Sequence, residues 1–183
     1  LDSVTADERR KAKTANFGIV YGITTFGLSE RIGVSRSEAK ELIDNYFLTF
    51  PHIKEYIEKV TDTARQQGYV ETIFHRRRYL PDINSRNAVV RNFAERNAVN
   101  APIQGSAADI IKLAMIRIAR RFKEEGLRSQ MILQVHDELN FSVYPEEKDK
   151  VESIVTYEMA QACRLDVPLV ADCGWGNNWL EAH

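Results

Sequence analysis

Arg9-Arg10-Lys11-Ala12-Lys13-Thr14-Ala15-Asn16-Phe17-Gly18-Ile19-Val20-Tyr21-Gly22 reads as one helix with an unusual face. The run Thr5-Ala6-Asp7-Glu8 forms a capping box, in which Thr5 accepts from the backbone three residues on and Glu8 reaches back. The helix is expected to continue to about Tyr21, where Gly22 can end it. Arg9, Lys13, Phe17 and Tyr21 recur every four residues. At ~100° per residue each step drifts by roughly 40°, so the four form a slanting stripe about 18 Å long. The cations suit phosphates, arginine as a planar fork and lysine as a point charge. The aromatic rings offer flat surfaces for a sugar or base. Such a ladder matches a nucleoside triphosphate lying along the helix with its phosphates toward the N-terminus, the polarity that the helix dipole favours. The alternative is that Phe17 and Tyr21 pack in a core while Arg9 and Lys13 are solvated.

Outward from this stretch, helical signals dominate. A short helix is expected within Thr25–Ile32, closed by Gly33. Ser35-Arg36-Ser37-Glu38 is a second capping box and opens a helix with apolar residues at Ala39, Leu42, Ile43, Tyr46 and Phe47. Pro51 suits the first turn of the next helix, which stops at Gly68. Tyr69–Thr72 and Arg78–Leu80 read as extended, joined by the basic turn His75-Arg76-Arg77. Arg86–Val99 reads as a basic helix, Pro102 as an interruption, and Gln104–Glu125 as a further long helix. Met131–Val135 and Glu138–Val143 then read as two strands joined by His136-Asp137, with Leu139, Phe141 and Val143 sharing one face. Pro145-Glu146-Glu147 opens a last helix, and Leu169–Ala171 suggests an edge strand. The expected class is α+β, predominantly helical, with a small antiparallel sheet. Two lobes are expected, residues 1–86 and 87–183.

Composition excludes several classes. The 183 residues are 44% hydrophobic and 28% charged, enough apolar mass for a core. No apolar run approaches the roughly 20 residues of a membrane span. LDSVTADERRKAK at the start has no apolar segment, so no secretory signal is expected. Cys163 and Cys173 lack metal-like spacing, which argues against a disulfide scaffold, a zinc finger or a secreted mini-protein and for a cytoplasmic setting. The net charge is only −1, but residues 65–123 hold 12 Lys or Arg against four Asp or Glu, a local +8. Such a stretch suits an anionic polymer on one face, the alternative being a solvated basic helix.

Asp137 falls at the tip of the expected hairpin, between His136 and Glu138. Asp and His tolerate the backbone angles of a two-residue turn, so a pure turn former is one reading. The other is a carboxylate offered to a divalent cation. Mg²⁺ prefers one or two carboxylates completed by substrate phosphates. Neighbours on a strand point to opposite faces, so Asp137 and Glu138 do not form a matched chelating pair. A two-metal site needs another carboxylate from a different element, and the sequence shows no convincing second one.

Taken together, residues 9–22 resemble motif B of family A DNA polymerases, and Gln134-Val135-His136-Asp137-Glu138-Leu139 resembles their motif C. Asn100-Ala101-Pro102-Ile103-Gln104-Gly105-Ser106-Ala107-Ala108-Asp109 is similar to the segment between them, and the resemblance runs on through Asn178-Trp179-Leu180-Glu181-Ala182-His183. It implies a right-hand polymerase fold, with residues 1–86 as fingers and 87–183 as the C-terminal part of the palm. It implies two-metal, template-directed transfer of deoxynucleotides to a primer 3′ end, with primer–template DNA and deoxynucleoside triphosphates as partners and two Mg²⁺ ions as cofactors. Arg9 and Lys13 would grip the triphosphate, and Lys13 would offset the growing charge. Phe17 would stack by sugar and base and disfavour sugars lacking the 3′-hydroxyl. Tyr21 would stack at the template position. Asp137 would hold metal, with Glu138 in support. His136 would approach the primer terminus, and Arg96, Asn100 and Gln104 would meet primer–template. Their four-residue spacing crosses Pro102.

Two departures from the family pattern stand out. A motif A run, with its aspartate followed by a Ser-Gln-Ile-Glu type sequence, is not among these residues, so it would lie upstream of Leu1 and the chain alone would be inactive or nearly so. His75 stands where the family usually has glycine. A fragment of a palm would expose apolar sheet surface, so self-association is expected. The implied setting is the bacterial cytoplasm, at the nucleoid. Two other functions remain open at this level: a DNA-binding module without chemistry, and a single-subunit RNA polymerase, which shares the helix lysine and tyrosine and a His-Asp pair. Glu138 and the intervening segment favour the DNA enzyme.

Overall fold

The structure, a computed structural model, describes residues 4–182. Leu1, Asp2, Ser3 and His183, the last of them part of the terminal run quoted above, lie outside the described residues. Helices dominate, with two separate two-stranded antiparallel sheets. No helix among the described residues is long and apolar enough to cross a membrane. The chain divides into two compact units, Leu1–Ile103 and Gln104–His183.

The first unit opens with α1 (Ala6–Val20), whose Thr5–Glu8 capping box has both reciprocal bonds in place. It ends at Gly22, where φ is +73°, a conformation that glycine adopts at little cost. Gly18 lies within α1 for a different reason: a Cβ there would come within 3.2 Å of the Ile23 side chain, so its absence lets the following turn fold back closely. α2 (Thr25–Ile32) is capped by Thr24 and closed by Gly33 in the left-handed region. α3 (Arg36–Thr49) starts on the Ser35–Glu38 box. One apolar cluster, Leu28, Ile32 and Ala39, with Ala15, Ile23, Val34 and Ile43 against it, binds α1, α2 and α3 together.

α4 (Pro51–Gln67) begins with proline and ends at Gly68. β1 (Tyr69–Glu71) pairs antiparallel with β2 (Arg77–Tyr79), Tyr69 opposite Tyr79. The strands are one residue shorter or shifted relative to expectation. At the tip His75 takes φ +64°, and its N–H donates to the Thr72 carbonyl at 2.9 Å. A left-handed residue with a Cβ costs about 1–2 kcal/mol, part of which glycine returns as lost chain entropy. His75→Gly is therefore expected to raise thermal stability by about 0.5–1 kcal/mol. A lower melting temperature for that variant would show that the contact of His75 with Glu71, at 3.6 Å, outweighs backbone strain.

The largest departure from expectation is α5, one helix from Ala88 to Glu124 with Pro102 inside it. Proline removes an amide donor and crowds the carbonyl four residues back, which is why a break is expected there. Tertiary packing overrides that cost. Ala94 and Ala98 lie in the core with Ala64, Val70, Leu80 and Ile83. The Tyr56 hydroxyl donates to the Val99 carbonyl at 3.3 Å, next to the carbonyl that Pro102 deprives of its N–H. The same packing places the first part of α5 in the core of the first unit, which runs to Ile103.

In the second unit the rest of α5 packs Ala114, Ile118 and Phe122 against Val151, Ile154, Val155 and Ala162. β3 (Gln130–Val135) pairs with β4 (Glu138–Ser142), with an irregularity between Met131 and Leu133. Leu139, Phe141 and Val143 pack against that cluster, as the alternation expects. A 3₁₀ turn (Pro145–Glu147) leads into α6 (Lys148–Ala160), and α7 (Trp179–Ala182) follows. Residues 169–171 are not a strand, since β3 and β4 pair only with each other among the described residues.

Glu147 ties this unit together. Its carboxylate accepts from the Arg128 N–H at 3.0 Å, the Ser129 N–H at 2.9 Å and the Ser129 hydroxyl at 2.6 Å. These donors, the Arg128 amide foremost, hold its carboxyl down at about 2, from an ordinary value of 4.5. A carboxyl depressed on folding adds stability above its unfolded value, and that stability is lost as pH falls through the folded value. Glu147→Gln should therefore unfold at lower temperature than the parent near neutrality, with the two curves converging between pH 4.5 and about 2. A gap that stays constant down to acid pH would contradict this account.

Candidate nucleotide and metal sites

α1 presents its stripe to solvent. Phe17 is 48% exposed and Tyr21 39%, so neither ring is a core residue. Their rings stack on each other, with centroids 6.2 Å apart and planes 30° from parallel. This excludes the core alternative for the two aromatics. The cations of the same helix divide into two kinds. Arg10 and Lys11 are both held by Asp7, at 2.6 and 2.9 Å. Their bonds, that of Lys11 first, keep the Asp7 carboxyl below its usual range. Arg9 and Lys13 are exposed and have no carboxylate partner among the described residues. The two cations on the aromatic face are thus the two left free for a ligand. Asn16, which borders the stripe, is already engaged: its side-chain oxygen accepts from the Tyr46 hydroxyl of α3 at 2.8 Å.

An open groove of about 690 Å³ runs along this face, lined by Lys13, Thr14, Phe17, Gly18, Tyr21, Gly22, Ile23, Thr24, Arg31 and Arg96. Arg96 reaches it from α5: its Cγ would lie 3.2 Å from a Cβ placed on Gly22. Arg31, from α2, carries no pattern in the sequence that singles it out. Asn100 is half-buried, and its side-chain oxygen has no hydrogen-bond partner. Gln104 is exposed. Because α5 is unbroken at Pro102, Arg96, Asn100 and Gln104 keep a true i, i+4, i+8 helical spacing.

In the second unit, Val135 pairs with Glu138 and leaves His136 and Asp137 as the two-residue turn. His136 takes φ +54°, the turn conformation expected of it. Gln134 donates to its carbonyl at 3.0 Å, which stiffens the tip. Asp137 is exposed and has no partner among the described residues. Glu138, half-buried, accepts from the Trp179 indole N–H at 2.6 Å. The neighbouring carboxylates are therefore in different situations, one free and one engaged, in line with their pointing to opposite faces. The Trp179 contact spans 41 positions, and nothing local in the sequence announces it. No group of three or more His, Cys, Asp or Glu gathers as a metal site among the described residues. A single free carboxylate fits Mg²⁺ as a partial ligand set, to be completed by phosphates and a further carboxylate.

The profile of DNA polymerase family A matches residues 1–181. The chain belongs to this family. It is 54% identical over 181 residues to DNA polymerase I of Streptococcus pneumoniae, a match covering 99% of this chain and 21% of that protein. It is 53% identical to DNA polymerase I of Bacillus caldotenax, with the same shares covered. Among solved structures it matches the POL domain of Pol1 from M. smegmatis in complex with DNA primer-template and dNTP, with a TM-score of 0.96 and 46% identity over 99% of this chain and 32% of that one. The chain thus spans about a fifth of the length of the curated relatives it matches. Family A membership sets aside the single-subunit RNA polymerase alternative, and the helical architecture with small antiparallel sheets is that of a family A polymerase domain.

Proposed function

We propose that this chain supplies the nucleotide-gripping helix and one metal-binding carboxylate of a DNA polymerase that extends a primer on a template. The observation that carries the reading is the pairing pattern on α1: Asp7 takes Arg10 and Lys11, while Arg9 and Lys13 have no carboxylate partner among the described residues and stand beside two exposed, stacked rings. Arg9 and Lys13 bind the triphosphate of an incoming deoxynucleotide. Phe17 packs by its sugar and base, and Tyr21 stacks at the template position. Arg96, Asn100, Gln104 and His136 contact primer and template. Residues 1–86 act as fingers and 87–183 as the C-terminal part of the palm.

In the reaction the primer 3′-oxygen attacks the α-phosphorus, the bond to the β,γ-diphosphate breaks, and pyrophosphate leaves. Lys13 holds the triphosphate in place and offsets charge on the departing oxygens, so its part is positioning and preorganised electrostatics. Asp137 contributes its carboxylate as a ligand, and Glu138, steadied by Trp179, stands beside it. Mg²⁺, when bound, supplies Lewis-acid stabilisation of the attacking and leaving oxygens. The motif A aspartate that would complete the ligand set is not among these 183 residues.

Primer extension with Mg²⁺ tests the reading in two arms. Grafted in place of the matching segment of the Streptococcus pneumoniae relative, the chain is expected to support templated synthesis. On its own it is expected to yield little or none, because one carboxylate cannot fix two ions. A graft that folds and binds DNA yet extends nothing would contradict the proposal, and robust synthesis by the chain alone would contradict the two-carboxylate requirement. Alone, the chain is also expected to self-associate, since β3 exposes Ile132 and Leu133. In the cell we place the polymerase in the bacterial cytoplasm, at the nucleoid.

A further inference from the structure

The groove along α1 contains a cation that the stripe does not include. Arg31 lies in the last turn of α2 and lines the groove with Lys13, Phe17, Tyr21 and Arg96. It is exposed, and no carboxylate pairs with it among the described residues. None of the groove-lining residues is acidic. Elsewhere in the same unit Arg10, Lys11, Lys40 and Arg65 are each held by a carboxylate. Among the described residues Lys13 has no such partner, and Arg96 meets the Phe93 ring, 5.9 Å from its guanidinium carbon, but no carboxylate. Three uncompensated positive charges along one groove repel one another and favour an incoming anion. Ile32, next to Arg31 in sequence, belongs to the apolar cluster against which Ala15 packs. That packing brings the last turn of α2 alongside the middle of α1, and Arg31 and Lys13 line the same groove.

We propose that Arg31 is a phosphate-binding residue of this groove, holding an oxyanion of a bound strand or nucleotide in addition to the phosphates that Arg9 and Lys13 take. The proposal rests on the reading of α1 as a nucleotide-binding helix. Guanidinium suits the task, because its planar fork can give two parallel hydrogen bonds to one phosphate. The competing role is purely local: a cation in the last turn complements the dipole of α2 and adds a little stability without any ligand.

The test titrates the whole chain with two probes, a short labelled single-stranded DNA and metal-free dATP, across salt from about 50 to 200 mM. Arg31→Ala should weaken at least one probe by about 3- to 10-fold. For the single strand the slope of log affinity against log salt should become shallower by about 0.7, the value for one phosphate contact. Arg31→Lys should restore most of that slope, and Lys59→Ala, a loss of charge on α4 outside the groove, should leave it unchanged. Weakening confined to the strand assigns a template phosphodiester, and weakening confined to dATP assigns the triphosphate. Either result supports the proposal. If Arg31→Ala fails to fold, Arg31→Gln removes the charge while keeping the length, with the same expectation. Unchanged affinities and slopes in the Arg31 variants, with Lys13→Ala weakened, would overturn the proposal alone and leave α1 its role. A parent chain that binds neither probe would overturn both.

Discussion

Asp137→Ala, placed in a full-length polymerase carrying this segment, is expected to lower primer extension on the order of a thousandfold or more while leaving primer–template affinity nearly unchanged. The reason is the contrast between Asp137 and its neighbour. Asp137 sits at the tip of a stiffened two-residue turn, exposed and with no partner among the described residues. Removing its side chain breaks no hydrogen bond among the described residues, so the fold should survive and the loss should report on metal binding. Glu138 is already engaged with Trp179. Glu138→Gln keeps the shape and an acceptor oxygen for that indole, and should cost much less than Asp137→Ala. Extension rates with Mg²⁺ or Mn²⁺ and a gel-shift titration on the same variants check both points. Full activity in Asp137→Ala would show that the metal is held elsewhere.

Lys13→Ala carries the second large effect. A preorganised charge aimed at developing negative charge is worth about 10²- to 10³-fold in rate. Lys13 is free to play that part because Asp7 is saturated by Arg10 and Lys11 and does not neutralise it. The loss is expected mainly in the rate of nucleotide incorporation. Arg9→Ala should instead act mainly on the KM for the nucleotide, as uniform binding of the triphosphate would. Lys11→Ala provides the control: it removes a cation of the same helix whose charge is already spent on Asp7. Single-turnover incorporation separates these cases. If Lys11→Ala and Lys13→Ala were equally damaging, the distinction between paired and free cations would fail.

Much of the fold could be read from local chemistry. The capping boxes at Thr5–Glu8 and Ser35–Glu38, the proline at position 51 and the glycines at 33 and 68 mark helix ends by mechanisms confined to a few residues, and each is where it was expected. Pro102 misled for the opposite reason. Its cost is local, whereas what offsets it comes from Ala64, Val70 and Tyr56, 30 or more positions away. The suggested strand at residues 169–171 failed because a strand exists only through its partner, and local sequence cannot name one.

The site divides along the same line. The stripe was legible because a four-residue repeat maps directly onto one helix face. Whether Phe17 and Tyr21 lay in a core or in solvent was not, since that depends on where α2 and α3 pack against α1. The privilege of Lys13 over Lys11 rests on which way Asp7 turns, and both lie within a turn or two of it. Neither Arg31 nor the contact of Trp179 with Glu138 belongs to a periodic pattern: one reaches its groove by the packing of α2, the other is made across 41 positions.

The most direct test of the central claim is to map nucleotide binding on the chain residue by residue, by following backbone amide NMR signals as dATP is added. Shifts concentrated on Arg9, Lys13, Phe17, Tyr21 and Arg31 of α2, with Ala15 and the far face of α1 little affected and the pattern lost in Lys13→Ala, are the predicted result. Shifts scattered evenly around α1, or confined to residues outside the groove, would contradict it.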